Sequence, residues 1–95
     1  MEELMSEKEV EMSPFSELNF KIPQQIWTGN DVIQSSHFAG QQMVLKQSDD
    51  NSKIYELHYL GLKVSGFEEI DDAKFNAPDF ARSVFQILGD FIKDY

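Results

Sequence analysis

Apolar and polar positions alternate from Leu18 to Ile22, with Leu18, Phe20 and Ile22 on one side and Asn19 and Lys21 on the other. This period of two predicts a short strand, stopped at a sheet edge by Pro23. Residues 24–40, QQIWTGNDVIQSSHFAG, carry no clear period; Thr28-Gly29-Asn30-Asp31 reads as a turn, with Ile26 and Trp27 packing inward. Met43 and Leu45 alternate with polar or smaller neighbours over Gln41 to Gln47, a second strand, and Ser48 to Ser52 forms a polar hairpin turn before a third. In that third run Tyr55, Leu57 and Tyr59 hold one parity and Leu60, Leu62 and Val64 the other. A bulge near Tyr59-Leu60-Gly61 would keep both sets inside; otherwise both faces are covered there, and Gly66 ends the run.

The pattern then changes to a helical one. Asn76 is a plausible cap, Pro78 fits the first turn, and Asp79 complements the helix dipole. At about 100° per residue, Phe80, Ala81, Val84, Phe85, Ile87, Leu88, Phe91, Ile92 and Tyr95 fill one continuous arc. Phe80, Val84, Ile87, Leu88 and Phe91 are expected to face the sheet, leaving Phe85 and Ile92 as a rim available for self-association into a homodimer. The expected fold class is α+β, a small and mainly antiparallel sheet of three or four strands covered by one C-terminal amphipathic helix.

Composition narrows the function classes. The 95 residues are 41% hydrophobic and include eight phenylalanines, enough for one cored domain. With no cysteine, disulfide and thiolate chemistry are excluded, and a reducing, cytoplasmic setting is expected. No apolar run approaches the roughly 20 residues of a membrane span, and MEELMSEKEVEM lacks the basic start and apolar middle of a signal peptide. The formal net charge of −9 argues against direct binding to nucleic acid or to anionic membranes. Glu2, Glu3, Glu7, Glu9 and Glu11 against the single Lys8 mark residues 1–13 as an acidic flexible arm, with residues 14–95 forming a single domain.

Few residues suggest chemistry. Asp49 and Asn51 sit at the first and third positions of a calcium-loop pattern, but Lys53, Ile54 and Leu60 fail it at three essential places. Glu56 and His58 share a strand face, yet His37 is 21 residues from His58 and has no ligand spacing around it, so neither metal nor cofactor is expected. Ser35 or Ser36 beside His37 lacks a nucleophile elbow, and the glycines are too scattered for a phosphate loop. No catalytic residue is nominated and the chain is not expected to be an enzyme.

The segment GFEEIDDAKF stands apart. Glu68, Glu69, Asp71 and Asp72 are bracketed by Phe67, Ile70 and Phe75, so acidic groups surround apolar anchors. Charge that steers encounter beside aromatics that supply affinity is the composition of a surface for a protein partner with a basic face. The expected function is a non-enzymatic interaction or regulatory module using Phe67, Glu68, Glu69, Asp71, Asp72 and Phe75. The alternative is a nucleic-acid mimic or immunity-type inhibitor of a basic nucleic-acid-binding enzyme, as in a phage-encoded anti-defence protein; a small enzyme or metal-binding protein ranks last.

Overall fold

The computed structural model describes residues 9–11, 13–15, 19 and 21–94. Five strands follow one another in chain order: β1 (Thr28–Gly29), β2 (Ile33–Phe38), β3 (Gln41–Gln47), β4 (Tyr55–Tyr59) and β5 (Leu62–Phe67). All neighbours are antiparallel and spatial order equals sequence order, an open meander. Among the described residues one helix, α1 (Ile70–Asp90), packs on β4 and β5. The fold is therefore α+β with five strands, where the alternation had suggested three or four.

Two strands that the alternation did not show, β2 and β5, come from turns that the sequence conceals. Ala39-Gly40 and Leu60-Gly61 each place both residues at positive φ, 53° and 74° in the first and 50° and 84° in the second. That is the requirement of a two-residue hairpin whose twist matches its strands. The parity change at Tyr59-Leu60-Gly61 is thus a chain reversal, with Tyr59 opposite Leu62, rather than a bulge within one strand. A bulge does occur further on: Tyr55 pairs Phe67 and Glu56 pairs Ser65, leaving Gly66 as the extra residue at φ 100°. It flips the parity so that Phe67 joins Val64 beneath the helix.

Upstream, residues 24–40 contain β1 and β2. Asn30 makes the turn between them by accepting the Val32 and Ile33 N–H groups on Oδ1 at 2.8 and 3.0 Å. Trp27 packs against the core, 6.3 Å from Phe38 between ring centroids, whereas Ile26 is exposed and not inward as expected. Of the strand anticipated over Leu18 to Ile22, Leu18 and Phe20 lie outside the described residues. Ile22 is not in a strand; its N–H bonds to the Asn19 carbonyl in a turn. Most of the acidic arm, residues 1–8 and 12, also lies outside the described residues.

The helix begins at Ile70, six residues before the anticipated cap at Asn76, which instead donates from Nδ2 to the Asp72 carbonyl within the helix. Asp71 and Asp72 occupy the first turn, where carboxylates complement the dipole. Pro78 is consequently internal, and the Lys74 carbonyl loses its usual N–H partner. The early start brings Ala73, Ala77 and Ala81 onto the sheet in line with Val84, and all four are buried. Small side chains let the helix lie close to β4, over Met43, Leu45, Leu57 and Tyr59. Ile87 lies about 80° round the helix from the buried Ala77 and is half exposed, and Phe91, also expected in the core, follows the last helical residue and is 66% exposed.

Candidate functional site

The acidic and aromatic segment straddles the junction of β5 and α1, and the helix divides it. On a 100° projection Asp72, Asn76, Asp79, Phe80, Ser83 and Ile87 share the flank toward β5, while Asp71, Phe75, Pro78, Arg82 and Phe85 share the opposite flank. Phe67 is half-buried against the core; Glu68, Glu69, Asp71 and Asp72 are exposed, and Phe75 is 83% exposed. The six residues nominated from the sequence therefore form two groups. Phe67, Glu68, Glu69 and Asp72 lie on the β5 side, and Asp71 and Phe75 on the far side. Among the described residues none of the four carboxylates Glu68, Glu69, Asp71 and Asp72 has an ion-pair partner.

A groove of about 390 Å³ runs between β5 and the helix, lined by Val64, Phe67, Phe80 and Ile87 with Lys63, Asn76, Asp79 and Ser83 at its lips. Beside it lies the free edge of the sheet, since among the described residues β5 pairs with β4 alone. The ladder alternation starting from the two-residue hairpin directs the backbone groups of Leu62 and Val64 to β4. Those of Lys63 and Ser65 point outward. Val64, Phe80 and Ile87 were legible only as apolar positions; their joint edge depends on the Leu60-Gly61 reversal.

Phe85 and Ile92 are both exposed, at 46% and 76%. Phe85 packs edge-on against Tyr59 at 5.8 Å and lines a smaller groove of about 150 Å³ with Phe38, Ala39, Pro78 and Arg82. Ile92 lies beyond the helix end and is exposed.

The face of the sheet away from the helix holds the other polar cluster. Glu56 is only 6% exposed; its Oε1 accepts from His58 Nε2 at 2.6 Å, and Lys63 Nζ stands 3.9 Å from Oε2. The His58 hydrogen bond, with Lys63 and Lys46 nearby, holds the Glu56 carboxyl below the usual glutamate range against the opposing effect of burial. The hydrogen bond to His58 and the ion pair with Lys63 join β4 to β5 on this face. Among the described residues no three of histidine, cysteine, aspartate and glutamate come together as metal ligands would. Ser36 is buried while Ser35 and His37 point to the opposite face, so no serine–histidine pair of adjacent residues forms.

The hairpin turn at Ser48 to Ser52 is closed by its own side chains. Ser48 Oγ accepts from the Asp50 N–H, Asn51 Oδ1 accepts from the Lys53 N–H, and Lys46 Nζ donates to Asp49 Oδ1 at 2.9 Å. That contact lowers the Asp49 pKa and raises that of Lys46. Its polar residues serve the turn. No helix among the described residues is long and apolar enough to cross a membrane. No family model, no curated protein and no solved structure matches the chain.

Proposed function

We propose that the chain is a non-enzymatic interaction module that binds a protein partner through the junction of β5 and α1. The observation that supports this reading is the apolar groove floored by Val64, Phe67, Phe80 and Ile87, open beside carboxylates at Glu68, Glu69 and Asp72 that lack partners among the described residues. Apolar area supplies affinity, and the surrounding charge selects a basic partner and speeds encounter.

The test is affinity capture from the source cell by the wild-type chain and by the charge-reversed Glu68→Lys/Glu69→Lys variant, both checked for fold by circular dichroism. A protein retained on the wild type and lost on the variant supports the reading. Equal retention on both, or nothing retained by either, overturns it. Where a partner is captured, elution by duplex DNA identifies it as a nucleic-acid-binding protein, the narrower mimic form of the same proposal.

A further inference from the structure

We infer that β5 is a strand-addition site whose occupant is an extended, basic segment of another protein. The inference rests on the interaction-module reading and specifies the partner's chemistry. An edge strand presents unpaired backbone donors and acceptors, and an incoming extended segment satisfies them as one more strand of the sheet. Here those groups belong to Lys63 and Ser65, two residues apart, the spacing an antiparallel ladder uses. Side chains of an added strand alternate between faces, so every second one lies over Val64, Phe67, Phe80 and Ile87. Among the described residues the opposite edge strand, β1, is only two residues long.

Charge selects among the occupants. A second copy would pair about a two-fold axis and set the flank bearing Asp72 and Asp79 against the same flank of its neighbour, with −9 on each chain. Direct Lys63-to-Lys63 pairing would oppose like charges on the other face as well. The chain's own N-terminal residues carry five glutamates against one lysine and meet the same repulsion at Glu68, Glu69 and Asp72. A segment with valine-like residues over the groove and arginine or lysine at the next positions on the same face satisfies both the apolar floor and the carboxylate rim.

The probe is the capped peptide Arg-Thr-Val-Thr-Val-Thr-Arg, titrated into the full chain labelled with ¹⁵N. Saturable binding is expected, with the Lys63 and Ser65 amides slowed in hydrogen exchange. Ser65→Pro removes an outward N–H while leaving the bonds to β4, because proline is tolerated at such edge positions. It is expected to weaken binding on the order of tenfold or more, a loss of about 1.4 kcal/mol or above, as is backbone N-methylation of the peptide's three threonines, whose N–H groups face β5 when the valines lie over the groove. Glutamate in place of both arginines is expected to abolish binding. Binding indifferent to Ser65→Pro and to N-methylation overturns strand addition. So does protection of Lys63 and Ser65 without peptide, whether concentration-dependent, indicating a second copy, or concentration-independent, indicating the chain's own segment. If the peptide fails to bind while charge-dependent capture persists, strand addition falls and the module reading stands. If capture fails too, both fall.

Discussion

Glu56 carries the plainest consequence at the scale of single residues. Its folded-state pKa lies below the ordinary glutamate value because the ionised form accepts from His58 with two lysines close by. The stability this contributes is present above the ordinary value of about 4.3 and is lost as pH falls through the lower folded value. Glu56→Gln is therefore expected to be less stable than wild type at pH 7, with the gap narrowing toward pH 3 in urea unfolding followed by circular dichroism. An equal gap at both pH values would show that the charge contributes nothing. Backbone conformation supplies a second case. Ala39 sits at φ 53°, where residues other than glycine, asparagine and aspartate are strained, so Ala39→Asn is expected to stabilise by about 0.5–1 kcal/mol in the urea midpoint. Gly29→Ala should do the reverse. At φ 137° its new Cβ would meet the Ile33 carbonyl oxygen at 2.3 Å, so the β1–β2 pairing must open or shift.

At the scale of elements, the helix is set by its alanine stripe rather than by its largest side chains. Ala77 is fully buried against the sheet, and Ala77→Leu should overpack that seam, costing about 1–3 kcal/mol. Phe91→Ala should change stability by less than about 0.5 kcal/mol, the norm for exposed positions, because Phe91 lies past the helix end over solvent. Thermal or chemical unfolding of the two variants tests the pair directly. Reversed magnitudes would mean the helix docks through its C-terminal half. The strand at Gln41 to Gln47 and its polar hairpin could be read from alternation alone. The Ala39-Gly40 and Leu60-Gly61 turns could not, because neither carries the Asn-Gly or Asp-Gly pair that advertises such a hairpin, and only glycine at the second position hints at them.

For the whole molecule, a charge of −9 on 95 residues imposes self-repulsion on the compact state. Raising sodium chloride from about 0.01 to 0.2 M shortens the screening length from roughly 30 Å to below 10 Å. The melting temperature should rise over that interval. A fall would mean that the attractive pairs, Lys46 with Asp49, Glu56 with His58 and Lys63, and Arg82 with Asp79, outweigh the net repulsion.

Read alone, the sequence determined the class of the molecule: an acidic α+β chain with a C-terminal helix and with strands at Gln41 to Gln47 and from Tyr55 onward, where apolar positions alternate. These follow from period, composition and charge, which are local or summed properties. It also located the acidic and aromatic residues of the candidate surface, since their clustering between Phe67 and Phe75 is local as well. Only the tertiary structure decided which of them share a flank, because division by helix rotation depends on where the helix starts, and Ile70 carries no capping side chain before it to announce that start. It likewise decided that β5 is an edge and that Val64, Phe67, Phe80 and Ile87 meet in one groove. An edge is defined by the absence of a neighbour and a groove by residues up to 23 positions apart, and neither leaves a periodic trace in the chain.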